Sequence, residues 1–326
     1  MKEKTRVAFV YRPCIALESG KHYYTYEYHF FFSALKRNPR IDVTYVTTES
    51  KFDASVLKDK FDVVLLYENR NVCEPDEITG LQNLTIPVIA QLGDAYAANF
   101  FDYKFYHEKW KIDAYFNFFP AEYVYQFYPR SYKYKTITGW LESSLYQNLA
   151  PFSQRIKNKI LNSGAVANTK LRSRVITKIL KPNKDPYKIY KLRTLCNKLP
   201  YVDYTSTLQH EYVGDKYPLL LQKYRTAIAA STFCYAPKFF EIPAAGCLTF
   251  MEITDKNYGK YLGYKDGENA VFVNEKNYQE KFNEYLNDMD NPKWEKIANA
   301  GREHALENFN NDKGIDSLVD LMEELR

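Results

Sequence analysis

The sequence is poor in the features that mark several large protein classes. Its five cysteines, Cys14, Cys73, Cys196, Cys234 and Cys247, are odd in number and form no CxxC pair, so neither a disulfide framework nor a thiolate zinc site is indicated. They read as reduced, mostly buried thiols of a cytosolic protein. No apolar run approaches the roughly 18 residues that span a bilayer, and the opening MKEKTRVAFVY lacks a signal-peptide core. The expected location is therefore cytoplasmic, with any membrane contact limited to the surface. Walker, HExxH, GxSxG and GxGxxG motifs are missing. The one DxD, at 288–290, falls at an expected solvated helix end rather than after a strand, so no metal ligand is assigned. A net charge of +5 is too small to demand nucleic acid.

What is present is a regular alternation of apolar runs and helical segments. TRVAFVY (5–11), IDVTYVT (41–47), FDVVLLY (61–67), IPVIAQL (86–92) and IDAYFNF (112–118) predict buried strands, with TITGW (136–140) as a sixth. Separated by helices and turns, they predict a parallel sheet of βαβ units. Tyr24, Tyr28, Phe31, Phe32 and Leu35 recur at helical spacing and are expected to face that sheet. A chain of 326 residues suits two domains of roughly 150 residues each. The polar, aperiodic stretch 145–159 predicts the linker, giving an α/β domain over 1–150, a second over 151–309 and a terminal helix over 310–326. The 30 Tyr and 21 Phe read first as compositional bias and second as a stacking surface.

In parallel sheets ligands bind beyond the carboxyl ends of the strands. After the first strand come Gly20, Lys21 and His22; after the third, Glu68 and Asn69; after the fourth, Gly93 and Asp94. His22 is a candidate for a sugar or acceptor hydroxyl, or simply a loop histidine. Asp94 is a candidate base or hydroxyl-orienting group, or an Asx turn capping the next helix. His107 reads as structural.

The stretch from Lys223 to Val273 is the most informative. Pro237 to Gly246, PKFFEIPAAG, predicts a short helix between apolar strands, with Pro237 in its first turn. The free amides near Pro237, Lys238 and Phe239 would form an anion site, with Glu241 one turn further on to accept from ribose hydroxyls. A packed α/β helix with a solvated glutamate is the alternative. Upstream, a strand ending at Ser163-Gly164 leads into a helix that starts among Lys170, Arg172 and Arg174, cations suited to a diphosphate. Residues 155–198 hold 13 Lys or Arg against Asp185 alone, which also suits a solvated basic face, anionic lipid or nucleic acid. Tyr212 is a candidate to stack on a base, or a packing residue.

PKFFEIPAAGCLTF followed by YLGYKDGENAVFV resembles the C-terminal half of GT-B glycosyltransferases, in particular the CgeB-like and group 1 branch, from about Asn158 to Phe309. The matching positions are Lys238, Phe240, Glu241, Ala244, Gly246, Gly267, Glu268 and Asn269. The resemblance implies two Rossmann-like α/β/α domains facing a cleft, with the C-terminal helix crossing back to the N-terminal domain. It implies transfer of a sugar from a nucleotide-diphosphate donor, most often a UDP-sugar, to a glycan, lipid or other acceptor, with retention and no further cofactor; the position of the DMD segment adds the expectation of metal-independent donor binding. Phe233 departs from the pattern, since many retaining members carry a first glutamate there. That departure leaves open a non-catalytic GT-B scaffold that binds nucleotide sugar or glycan. The basic 155–198 span leaves open a nucleic-acid-binding or nucleic-acid-modifying protein.

Overall fold

The computed structural model describes the chain except for residues 1–2, 15–25, 49, 70–72, 181–185, 206–211 and 213. The chain divides into two compact units, one of Met1–Trp140 with Asn310–Arg326 and one of Leu141–Phe309.

Among the described residues the main sheet of the first unit has six strands: β1 (Thr5–Tyr11), β2 (Ile41–Thr47), β3 (Val63–Leu66), β4 (Val88–Gln91), β5 (Ala114–Asn117) and β6 (Tyr134–Thr136). They lie in the order β2-β1-β3-β4-β5-β6, and every pair is parallel. Strands β3, β4 and β5 are buried at every position, as continuous apolar runs covered on both faces must be. The edge strand β2 alternates instead. The sixth strand is shifted towards the N-terminus of the expected TITGW run and ends at its first residue, Thr136, and Trp140 turns the chain away with a φ of 82°. Helix α1 (Tyr26–Ala34) buries Phe31 against Trp140, ring centroids 4.0 Å apart, and Phe32 against Phe9, 4.6 Å apart.

The terminal helix Asn311–Leu325 belongs to this unit, as the resemblance implied. It buries Ile315, Leu318, Val319 and Met322 as its periodicity predicts. It also approaches the backbone at 139 so closely that a Cβ on Gly314 would lie 2.7 Å from the Gly139 Cα. Arg40 pairs with its Asp320 at 2.7 Å, and Lys133 with its Glu324 at 2.7 Å.

Among the described residues the second unit has a sheet of five strands: β7 (Ile156–Ser163), β8 (Val202–Thr205), β9 (Tyr224–Ala229), β10 (Leu248–Glu252) and β11 (Val271–Val273). All are parallel, in the order β8-β7-β9-β10-β11. Around them lie α2 (Leu171–Leu180), α3 (Lys191–Cys196), α4 (Tyr217–Leu221), α5 (Lys238–Ala244), α6 (Tyr278–Asn287) and α7 (Pro292–Asn308). The core packs Ile160, Ile228, Leu248 and Phe250 of the sheet against Phe282, Tyr285 and Trp294. Asn291 caps α7 by accepting from the Lys293 amide at 3.0 Å, with Pro292 first in the helix, as the Asn-Pro pair predicts. Asn277 and Glu280 have the spacing of a capping box at the start of α6, but the Asn277 side chain caps nothing; its oxygen accepts from the Asn274 amide, 2.7 Å away.

Candidate functional site

In the second unit the chain leaves β7 in one direction for β8 and in the other for β9. The point where strand order reverses therefore lies at the carboxyl ends of β7 and β9, where α/β sheets bind ligands. Ser163 is the last residue of β7. Its carbonyl accepts from the Arg193 guanidinium at 2.6 Å and from the Lys238 ammonium at 2.7 Å. Two cations thus meet on one oxygen. Arg193 reaches it from α3 and is buried; its Nε also donates to the Asn162 side chain, and the Asn162 amide donates to the Arg193 carbonyl at 3.0 Å. Burial and the neighbouring Arg193 charge hold the Lys238 ammonium well below the usual lysine range. The Ser163 hydroxyl shares a 2.5 Å hydrogen bond with the buried Tyr217 of α4. Gly164 continues the turn with a φ of 97°, a conformation that favours glycine.

Helix α5 begins one residue later than its sequence suggests. Pro237 is the N-cap, and the Phe239 amide donates back to the Ala236 carbonyl at 2.9 Å. The expected anion site on the amides of Pro237 to Phe239 is thereby reduced, since Pro237 has no N–H and that of Phe239 is engaged. The Phe239 side chain is fully buried in the core and takes no part in a ligand surface. What α5 contributes is side chains: Lys238 at its start and Glu241 one turn on. Glu241 is buried, and burial pushes its carboxyl up to about 8.

The rest of α5 is fixed by unusual means. Pro243 sits inside it and cannot donate to Phe239; the buried Tyr264 hydroxyl bonds that carbonyl instead, at 2.9 Å. At the other end Gly246 takes a φ of 68°, the left-handed stop that glycine favours. The buried Arg155 guanidinium donates to the carbonyls of Ala245 at 2.8 Å and Gly246 at 3.1 Å. A cation at a helix C-terminus is favourable on both hydrogen-bonding and dipole grounds. Gly301 of α7 lies against the Gly267-Glu268-Asn269 turn, where a Cβ would come 2.4 Å from the Asn269 carbonyl oxygen.

Two further buried polar residues order the loops at this end of the sheet. Asn257 donates to the carbonyls of Ser231 at 3.0 Å and Glu252 at 2.6 Å, tying the loop after β9 to the end of β10. Glu252 itself is buried, and its carboxyl is raised to about 7 by burial and then by Glu275.

Several expected site residues stand elsewhere. Lys170, Arg172 and Arg174 are exposed at the start of α2; the Lys170 amide closes an Asx turn on Asn168, and Arg174 lies over the Tyr187 ring, 4.0 Å from its centroid. They do not share the Ser163 carbonyl, and Arg193 takes that place. Tyr212 lies under the Lys223 ammonium, 4.1 Å from its ring centroid, a packing arrangement. Phe233 is 45% exposed.

In the first unit the strand order reverses between β1 and β3. Beyond β3, Glu68 and Asn69 are buried. Asn69 accepts from the Gly93 amide at 3.0 Å and donates to the Tyr128 hydroxyl at 3.1 Å, joining the ends of β3 and β4. Glu74 accepts from the Glu68 amide at 2.5 Å, and burial with the nearby Glu68 raises its carboxyl to about 8. Asp94 is exposed and accepts from the Tyr96 amide at 3.1 Å, capping the turn Ala95–Asn99. That is the Asx alternative of its two readings. His107 bonds the Tyr115 hydroxyl at 2.9 Å and stacks on Tyr132, a structural role. His22 lies outside the described residues.

Residues 179–320 match the family described as glycosyl transferase-like. No curated protein matches the sequence. Among solved structures, HepE of Anabaena in complex with UDP-glucose is 13% identical, covering 98% of this chain and 100% of that one with a TM-score of 0.57. Sucrose-phosphate synthase of Thermosynechococcus elongatus is 10% identical over 99% of both chains, with a TM-score of 0.57. An alpha-glucosyltransferase in complex with UDP is 10% identical, covering 98% of this chain and 100% of that one with a TM-score of 0.58. The fold is that of the GT-B glycosyltransferases, and the resemblance read from the PKFFEIPAAG stretch holds.

Proposed function

From the GT-B fold and the glycosyl transferase-like match of residues 179–320, we propose that this protein transfers a sugar from a nucleoside-diphosphate sugar to a hydroxyl-bearing acceptor. The observation that carries the reading is the meeting of Arg193 and Lys238 on the Ser163 carbonyl at the switch point of the second sheet. A diphosphate oxygen seated there would receive two charge-assisted hydrogen bonds. Cleavage of the glycosyl bond leaves negative charge on that diphosphate, so fixed cations stabilise the transition state more than the ground state.

Glu241, in its ionised form, would accept from the ribose hydroxyls. Uridine is the favoured base because HepE and the alpha-glucosyltransferase were solved with UDP or UDP-glucose. Retention is the outcome expected of this branch. Metal-independent turnover is proposed because both carboxylates of the DMD segment have structural roles. The Asp288 carboxylate accepts from the Asn291 side-chain amide at 2.8 Å, and Asp290 pairs with Lys157 at 2.6 Å and Arg225 at 3.1 Å.

A thermal-shift panel of UDP, GDP, ADP, CMP and dTDP tests the reading. A ligand at about 100 times its dissociation constant stabilises by roughly 2.7 kcal/mol. A shift with UDP that disappears in Lys238→Ala is expected; no shift with any nucleotide contradicts the proposal. The exposed Phe233, where many retaining relatives carry a glutamate, supports a second reading as a non-catalytic nucleotide-sugar binder. Binding without turnover would select it.

A further inference from the structure

We propose that helix α2 is a docking surface for a bilayer bearing anionic phospholipids. On an α-helix, Arg172, Val175, Ile176 and Ile179 fall at successive i, i+3, i+4 and i+7 positions and share one face. Such a stripe ordinarily turns inward to a core. Here Val175 is 50%, Ile176 44% and Ile179 72% exposed, on a helix whose Arg172 and Arg174 are exposed as well. The span 155–198 holds 13 Lys or Arg and only Asp185 as an acid; Arg155 and Arg193 among them are buried, and Lys157, Lys159 and Lys191 pair with acids outside the span, so the cations offered to a surface are those on and beside α2.

Exposed aliphatic side chains set among cations match the two layers of a bilayer surface. The branched side chains enter the acyl boundary while Lys and Arg meet phosphate headgroups. At ten residues α2 is about 15 Å long and would lie in the plane of the surface rather than cross it. The same face does not suit a nucleic acid. Single strands are gripped by aromatic stacking and duplexes by cations, and neither rewards an exposed isoleucine. The cations near the switch point, the buried Arg193 and the half-buried Lys238, are separate groups from those of this face.

The test is co-sedimentation of the full chain with phosphatidylcholine vesicles, with and without phosphatidylglycerol, at low and high salt. Binding is expected only to the vesicles containing phosphatidylglycerol and should weaken as salt rises. The double variant Ile176→Ser, Ile179→Ser should lower it about tenfold, through lost apolar insertion. Ile176→Leu, Ile179→Leu should retain it, and both variants should keep the parent melting temperature and its response to UDP. Three outcomes overturn the proposal. They are no binding to the anionic vesicles at low salt, equal binding by the serine variant, and isoleucine-dependent binding to duplex DNA or to a second copy of the chain in place of vesicles.

Discussion

Replacing Glu241 by Gln should make the protein more stable, and increasingly so as pH rises. Burial raises the Glu241 carboxyl from 4.5 to about 8. A carboxyl raised in this way costs nothing below its unfolded pKa, where it is protonated in both states. The cost grows as pH rises through the window between the two values. At 1.36 kcal/mol per unit, linkage between pH 5.5 and pH 8 gives a loss of about 3 kcal/mol in the wild type that Gln cannot suffer. The assay is urea unfolding of both proteins at the two pH values, comparing the difference between them. A Glu241→Gln advantage larger by about 3 kcal/mol at pH 8 is expected. The same reasoning links stability to binding. If ribose hydroxyls bond the carboxylate, nucleotide binding favours the ionised form and releases a proton below pH 8. Calorimetry in buffers of different ionisation enthalpy reads that proton directly. A Glu241→Gln effect independent of pH, together with no proton release, would refute the argument.

Other perturbations follow from the same geometry. Lys238→Met keeps most of the stem but removes one of the two donors at the Ser163 carbonyl. It should weaken UDP binding by at least about tenfold and leave uridine binding unchanged, as measured by calorimetry; equal losses would detach Lys238 from the diphosphate. Arg155→Met leaves the carbonyls of Ala150, Ala245 and Gly246 without their buried donor, which should cost about 2–4 kcal/mol in urea unfolding. A loss below about 1 kcal/mol would show that water or another group replaces it. Gly301→Ala forces a methyl group onto the Asn269 carbonyl and should cost roughly 1–3 kcal/mol, seen as a lower melting temperature; an unchanged melting temperature would mean the turn yields freely.

The strands of both sheets were legible because two-sided burial writes itself as unbroken apolar runs, and VVLL, VIAQ and AYFN are buried at every position. The terminal helix was legible because its stripe of Ile315, Leu318, Val319 and Met322 keeps helical period. Lys238 and Glu241 were legible through the PKFFE pattern that precedes a short helix. Arg193 was not. In sequence it is one of many basic residues, and only the packing of α3 under the end of β7 selects it. Lys170, Arg172 and Arg174 follow the Ser-Gly turn more closely in the chain, yet helix α2 leaves them exposed. Nor did periodicity distinguish the α2 stripe, which is open, from the terminal-helix stripe, which is buried, since both have the same spacing. Asn257 gave no signal, because its four side-chain hydrogen bonds depend on where the chain returns. Asp94 carried two readings in its Gly-Asp turn, and the hydrogen bond to Tyr96 is the capping one.

The most direct test of the central claim is donor turnover in the presence of EDTA. The protein is incubated with UDP-glucose and other nucleotide sugars, and release of the nucleoside diphosphate is followed by mass spectrometry. Release from one donor, unaffected by EDTA and strongly reduced in Lys238→Met and Arg193→Met variants that still fold, is the predicted result. Tight binding of the donor without release would leave a nucleotide-sugar-binding GT-B protein. Neither binding nor release with any donor would contradict the account.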